Sequence, residues 1–181
     1  PGRHVMSISE PQFAQARKVK MLGFPMDLGA GRRGVDMGPS AVRYAGMAQM
    51  IRGLGHEFED LGDIGVPLPE RRQPGSGPKY LKEIVRACEK LAPRVEGILD
   101  RGEFPLVVGG DHSMAMGTVT GVAQHFRKRG EKVGLIWIDA HADMNTHESS
   151  PSGNIHGMPL SALLGYGAPE LVGLGGFSPK V

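Results

Sequence analysis

The sequence has very little cysteine and no strong excess of charge of either sign. Cys88 is the single cysteine among 181 residues, so no disulfide can form within the chain and a reducing, cytoplasmic location is expected. Lys and Arg total 21 against 19 for Asp and Glu, which leaves a net charge of +2. This small excess gives no support to a nucleic-acid-binding protein or to binding of an anionic membrane.

Long hydrophobic runs are also missing. No apolar run approaches the roughly 20 residues of a membrane-spanning helix, and residues 1–10 contain no apolar core of a signal peptide. A soluble protein without a membrane partner is therefore expected. A length of 181 residues suits one domain and is short for two, so a single domain covering residues 1–181 is predicted.

Apolar segments of strand length alternate with segments of helical periodicity. Strands are predicted at residues 18–24, 56–61, 104–108 and 133–139. Helices are predicted at residues 39–52, 79–101, 113–129 and 159–164, with a kink or division at Pro93 and a surface loop at residues 62–78. This alternation predicts a three-layer α/β/α fold with a mostly parallel, doubly wound sheet.

Candidate ligands for a metal ion follow the fourth predicted strand. Asp139, His141 and Asp143 come directly after the apolar run 133–138 and are separated by single alanines. Side chains alternate across a strand, so these three share one face if the backbone stays extended. Two carboxylates and an imidazole at a buried strand end favour a divalent cation, because burial of unpaired carboxylates is costly.

A further candidate ligand follows the third predicted strand. Gly109 and Gly110 allow a sharp turn, which presents His112 at the entrance of the next helix. Because neighbouring parallel strands end at the same edge of a sheet, His112 is expected to join the aspartates. Asp111 is predicted to accept hydrogen bonds rather than to bind the metal, and Trp137 to be buried on the face opposite the metal.

The glycines between residues 29 and 34 match the letters of a dinucleotide-binding motif, G-x-G-x-x-G. The match is weak, because four residues separate the glycines from the end of the strand and no Asp or Glu lies between Asp36 and Glu57. The segment is interpreted as a flexible loop that rims the site.

Several motifs, in this order, resemble those of the ureohydrolases, and of the arginases among them. They are Gly34-Val35-Asp36-Met37-Gly38-Pro39-Ser40-Ala41, Gly109-Gly110-Asp111-His112-Ser113, Asp139-Ala140-His141-Ala142-Asp143 and Ser152-Gly153-Asn154-Ile155-His156-Gly157. The resemblance extends through nearly the whole chain. It implies hydrolysis of the guanidinium group of L-arginine to L-ornithine and urea, by attack of a hydroxide that bridges two manganese ions.

The resemblance also implies a role for each site residue. His112, Asp139 and Asp143 would bind the first Mn²⁺, and Asp139 would bridge to the second, which His141 also binds. Asp143 and His156 are the implied catalytic residues, His156 as a proton shuttle. The residues implied to engage the amino-acid end of L-arginine are Asn145, Ser150, Ser152 and Asn154.

The sequence departs from the family's pattern in one respect. A later Asp-x-Asp ligand pair and a later glutamate of the arginase site have no counterpart in these 181 residues. The chain is therefore interpreted as the amino-terminal portion of an arginase-like metallohydrolase domain, truncated before the C-terminal strands, with an incomplete sheet. Alone, it is expected to bind metal weakly and to have little activity.

Three further expectations concern partners and alternatives. The resemblance implies a homo-oligomer, a trimer or a hexamer. Another ureohydrolase, such as an agmatinase whose substrate lacks the α-carboxylate, is an open alternative. A noncatalytic ureohydrolase-like binding module is a second alternative, favoured by the missing ligands.

Overall fold

The fold is built on a short parallel sheet with helices on both of its faces. A computed structural model describes residues 15–67 and 77–181. Two predictions fall on residues outside these ranges. One is that residues 1–10 contain no signal segment, and the other is most of the loop at residues 62–78. The strands and helices are β1 Lys18–Phe24, α1 Gly38–Tyr44, α2 Met47–Gly53, β2 Glu57–Asp63, α3 Leu81–Asp100, β3 Phe104–Gly109, α4 Met114–Arg127, α5 Pro159–Leu163 and α6 Pro169–Val172.

The central strand of the sheet is β1. The strand order is β2-β1-β3 and both pairs of neighbours run parallel. Met21 and Leu22 are adjacent on β1, so their side chains point to opposite faces, yet each is 0% exposed. Helices therefore cover both faces of the sheet, as predicted for an α/β fold. None of the helices among the described residues combines the length and apolarity needed to cross a bilayer.

The register of the sheet brings two loops together at one edge. Phe24 and Gly109, the last residues of β1 and β3, are paired with each other. Beyond them, the backbone N–H of Gly110 donates to the carbonyl of Phe24 at 3.0 Å, and that of Asp111 donates to Met26 at 2.7 Å. The loop after β1 and the loop that carries His112 consequently leave the sheet side by side.

The predicted fourth strand is wrong for this structure. Residues 133–139 form no strand, although Val133, Leu135 and Trp137 are half-buried and alternate with exposed residues in the pattern of an extended backbone. Ile136 and Ile138 are 87% and 93% exposed. An extended segment counts as a strand only when its backbone is hydrogen-bonded to a neighbouring strand, and within residues 15–67 and 77–181 no strand is paired with this segment.

Three predicted helical features differ from the structure. Helix 39–52 is divided into α1 and α2, because Gly46 adopts a left-handed φ of 87° between them. Pro93 does not divide α3, which is one helix of 20 residues; the proline is on the exposed side, while Leu91 and Val95 anchor the buried side. The segment after residue 164, for which no helix is predicted, contains α6.

Helices α3 and α4 pack with their backbones in close contact. A Cβ atom added at Gly121 of α4 would lie 2.3 Å from the carbonyl oxygen of Ala92 and 2.9 Å from Cβ of Val95. Cys88 of α3 is fully buried at the same interface, and this burial raises the pKa of its thiol to about 12. The thiol is therefore protonated and inert at neutral pH.

Gly121→Ala is expected to lower the free energy of unfolding by about 2 kcal/mol, because the added methyl group must push α3 and α4 apart. The matched control is Gly97→Ala in α3, where the nearest atom to an added Cβ is Nη1 of Arg101 at 3.7 Å, so stability should hold or rise by up to about 1 kcal/mol. Urea unfolding followed by circular dichroism measures both. Equal stability of the two variants would contradict the close packing.

Candidate active site

Asp111 fixes the loop that carries His112. Its buried carboxylate accepts hydrogen bonds from the backbone N–H of Gly29 at 2.8 Å, from the backbone N–H of Ser113 at 2.9 Å and from the Ser113 hydroxyl. Burial raises the pKa of Asp111, and these hydrogen bonds act in the opposite direction. Asp111 thus accepts hydrogen bonds, as predicted, and ties the loop after β1 to the loop after β3.

His112 lies against both predicted aspartate ligands, Asp139 and Asp143. Its Nδ1 atom is 2.6 Å from Oδ2 of Asp143 and 3.1 Å from Oδ2 of Asp139. One ligand atom from each of the three residues lies within 4.8 Å of the others. This cluster, defined by His112, Asp139 and Asp143, assembles although residues 133–139 are not paired with β3.

Asp143 is held by the start of α5. Its carbonyl oxygen accepts hydrogen bonds from the backbone N–H groups of Leu160 at 3.1 Å and Ser161 at 3.3 Å. Its φ angle of 49° is in the left-handed region, which costs energy in a residue other than glycine and is typical of functional sites. This turn directs the buried carboxylate of Asp143 towards His112.

The donor set of the cluster fits a divalent cation. Oδ2 of Asp143 is buried and has no hydrogen-bond partner, because the nearby His112 Nδ1 does not approach with the geometry of a hydrogen bond. A buried carboxylate oxygen without a donor is costly. A cation shared by His112, Asp139 and Asp143 would remove that cost, and imidazole with carboxylate oxygens suits ions such as Mn²⁺ or Zn²⁺.

His141 lies beside the cluster rather than within it. Oδ1 of Asp139 accepts a hydrogen bond from the backbone N–H of His141 at 2.8 Å, and this bond is the main cause that lowers the pKa of Asp139. The His141 side chain is 83% exposed, with Nδ1 at 3.2 Å from the same oxygen. Asp139 therefore presents one oxygen to each histidine, which is the arrangement a bridging carboxylate needs.

Asp139, His141 and Asp143 are expected to share one face only if the backbone stays extended, and the structure does not meet this condition. Strict alternation ends before Asp143, because its positive φ turns the backbone away from an extended path. As a result Asp143 is buried against His112, whereas the imidazole of His141 faces solvent.

A cavity of about 480 Å³ opens next to the cluster. It is lined by His141 and Asp143 from the predicted metal site, by His156, and by all of the residues predicted to bind the substrate, Asn145, Ser150, Ser152 and Asn154. The structure thus brings the predicted substrate residues to the side of the predicted metal ligands. Their individual roles stay predictions.

Hydrogen bonds within the loop order the floor of this cavity. The hydroxyl oxygen of Ser150 accepts a hydrogen bond from the backbone N–H of Gly153 at 3.0 Å. The hydroxyl oxygen of Ser152 accepts one from the backbone N–H of Asn154 at 3.2 Å. A hydroxyl whose oxygen is engaged in this way still has its own proton to donate. The backbone N–H of His156 donates to Gly29 at 3.1 Å, so the loop after β1 rims the site, as predicted.

Trp137 is a site residue that sequence reasoning misplaced. It was predicted to lie on the face opposite the metal, but its indole stacks on the imidazole of His112, with ring centroids 4.6 Å apart and planes at 26°. Trp137 precedes Asp139 by two residues, and the period of a strand places such residues on the same face. That alternation was the signal that could have located it.

Known proteins of one family resemble this chain in both sequence and structure. The model of the arginase family matches residues 17–176. The chain belongs to the arginase family. The arginase of Bacillus caldovelox is 54% identical over 167 residues, which cover 91% of this chain and 54% of that protein. Its solved native structure has a TM-score of 0.84 and 53% identity, and the match covers 91% of this chain and 55% of that one.

More distant members of the family share the fold. The arginase of Entamoeba histolytica, solved in complex with L-ornithine, has a TM-score of 0.79 and 32% identity, covering 89% of this chain and 54% of that one. Trypanosoma cruzi formiminoglutamase, solved with Mn²⁺, has a TM-score of 0.58 and 25% identity, and the match covers 81% of this chain and 48% of that one. The chain spans about half the length of the arginases it matches.

The stacked indole provides a test of cation binding by the cluster. Trp137 is the only tryptophan in the sequence, and a paramagnetic ion bound by His112 would lie close enough to quench it. Titration with Mn²⁺ is expected to give a saturable loss of Trp137 fluorescence. Asp143→Asn should weaken this binding at least about tenfold, because it removes a buried ligand oxygen.

Glu148→Gln is the matched control, since it removes an exposed carboxylate from the same loop without touching the cluster. This variant should titrate like the unsubstituted chain. Identical titrations of all three proteins would show that Mn²⁺ does not bind between His112 and Asp143.

Proposed function

We propose that the protein carrying this chain hydrolyses the guanidinium group of L-arginine to L-ornithine and urea. One observation carries the proposal: a cluster of carboxylate and imidazole ligands borders a polar cavity lined by the residues of the family's motifs. Membership of the arginase family supports it. The L-ornithine complex of the Entamoeba histolytica relative is in keeping with this substrate class.

Two Mn²⁺ ions are the proposed cofactor. His112, Asp139 and Asp143 would hold the first ion, and Asp139 with His141 would contribute to the second. When bound, such a pair would lower the pKa of a coordinated water towards about 7 and so supply hydroxide at neutral pH. The Trypanosoma cruzi relative, solved with Mn²⁺, supports the choice of metal.

The polar loop is proposed to hold the amino-acid end of the substrate. Asn145, Ser150, Ser152 and Asn154 line the cavity, and the serine hydroxyls retain a proton to donate to a carboxylate. With that end held in the loop, the guanidinium group would extend towards Asp143 and the other ligands of the cluster. Orientation of this kind favours the reaction by holding the scissile carbon in one place.

His156 is proposed to move the proton that the reaction requires. Hydrolysis breaks the bond between the guanidinium carbon Cζ and Nε of L-arginine, and the leaving amine must gain a proton as water adds to the carbon. The imidazole of His156 lines the cavity, and its backbone is fixed by the hydrogen bond to Gly29. A ring nitrogen of His156 can therefore carry a proton between solvent and the amine.

The chain of 181 residues by itself is expected to have little activity. Among residues 15–67 and 77–181, Asp139 and His141 alone would serve the second ion as side-chain ligands, which is too few for tight binding. The protein is further proposed to act as a homo-oligomer, a trimer or hexamer, in the cytoplasm; both remain predictions.

Urea release from L-arginine in the presence of Mn²⁺ tests the proposed function in the full-length protein. Asp143→Asn should reduce kcat/KM by more than about 100-fold and His156→Ala by about 100-fold, because they remove a metal ligand and a proton carrier respectively. Glu148→Gln should behave like the unsubstituted protein, since its side chain is exposed and outside the cavity.

A parallel assay with agmatine separates the open alternatives. Faster turnover of agmatine than of L-arginine would identify an agmatinase. Mn²⁺ binding without turnover of either compound would identify a noncatalytic module, and either result would overturn the proposal.

A further inference from the structure

A lysine far from the motifs holds the side chain of Asn154. Nζ of Lys79 donates a hydrogen bond to Oδ1 of Asn154 at 3.2 Å, across 75 positions of sequence. The backbone N–H of Lys79 also donates to the carbonyl of Gly153 at 2.9 Å. Lys79 therefore fixes both the main chain and the side chain at this point of the substrate loop.

The opposite side of the Asn154 amide is closed by the loop after β1. A Cβ atom added at Gly31 would lie 2.8 Å from Nδ2 of Asn154, so a side chain at position 31 would displace the amide from its present position. The two ends of the amide therefore lie beside different groups, Nδ2 beside Gly31 and Oδ1 beside the Lys79 ammonium group.

The charge of Lys79 also sets the direction of the amide. An ammonium group can only donate hydrogen bonds, so it attracts the oxygen Oδ1 and repels the N–H₂ end of the amide. With Oδ1 engaged by Lys79, the donating end of the Asn154 amide is Nδ2, which lies beside Gly31. An amide that presents N–H₂ is suited to bind a carboxylate, whereas a flipped amide would present an oxygen and repel it.

Lys79 acts from outside the substrate cavity. It lines a second cavity of about 250 Å³, together with Gly31 and Tyr80, and does not line the cavity that contains Asp143 and His156. Asn154 lines both cavities and forms the wall between them. Any effect of Lys79 on the substrate must therefore pass through Asn154 or act through space by its charge.

We infer that Lys79 is a positioning residue that orients the Asn154 amide towards the α-carboxylate of the substrate. This inference rests on the proposed function, because it assigns Asn154 to that carboxylate. It makes Lys79 a determinant of specificity for substrates with an anionic amino-acid end, although Lys79 lies in none of the motifs that carry the chemistry.

Steady-state kinetics of the full-length protein test the inference. Lys79→Met should raise KM for L-arginine about tenfold with kcat changed less than about twofold, because a contact to the unreacting end of the substrate is lost. Lys79→Arg should restore most of the affinity, since its guanidinium can also donate to Oδ1. Binding of agmatine, measured by competition, should not change, because agmatine has no carboxylate.

Lys82→Met is the matched control, since it removes an exposed lysine three residues later on α3. It should leave KM within about twofold of the unsubstituted value. An equal rise of KM in both lysine variants would show a long-range effect of charge, and a loss of kcat at constant KM in Lys79→Met would show a structural role. Either result overturns the inference.

A spectroscopic measurement on the 181-residue chain keeps this test separate from the proposed function. The side-chain N–H₂ signals of Asn154, identified by their loss in Asn154→Ala, should shift in Lys79→Met and not in Lys82→Met. Unchanged signals in Lys79→Met would overturn the inference even if L-arginine is the substrate. Absence of urea release from the unsubstituted full-length protein would instead refute the proposed function, while shifted signals would still confirm the contact.

Discussion

The site depends on the approach of two carboxylates to one imidazole. Asp139 and Asp143 both direct an oxygen at Nδ1 of His112, at 3.1 and 2.6 Å. Two neighbouring carboxylates repel each other unless a positive charge lies between them. The loop after β3, the segment after residue 138 and the start of α5 all converge on this cluster, so its charge balance governs how they fit together.

Two buried aspartates of the site show contrasting solutions to the cost of burial. Asp111 is surrounded by donors: the Gly29 N–H joins the loop after β1 to the loop after β3, and Ser113 fixes the turn within the second loop. Asp143 has a buried oxygen with no donor and a backbone in the left-handed region. The satisfied carboxylate is a structural tie, and the unsatisfied one is the group prepared for a ligand.

Features set by local sequence could be predicted well. Strand β1 has the predicted bounds, the alternation of strands and helices indicated the α/β fold, and motifs at strand ends indicated that His112 would meet the aspartates. Each of these follows from hydrophobic pattern or from the rule that parallel strands end at one edge of the sheet.

Features that need a distant partner could not be predicted. Residues 133–139 have the composition of a strand, but pairing depends on a neighbour that local sequence does not specify. The exposure of His141 follows from the turn at Asp143, which the alternating pattern does not reveal. The contact of Lys79 with Asn154 joins residues 75 positions apart, and no motif marks the lysine.

The central claim is that His112, Asp139 and Asp143 share one divalent cation. Crystals grown with Mn²⁺ and measured at the manganese absorption edge test it most directly. The account predicts an anomalous difference peak within about 2.5 Å of His112 Nδ1 and of one carboxylate oxygen from each aspartate. A peak only at other positions, or no peak with the His112 imidazole turned away from Asp143, would contradict it.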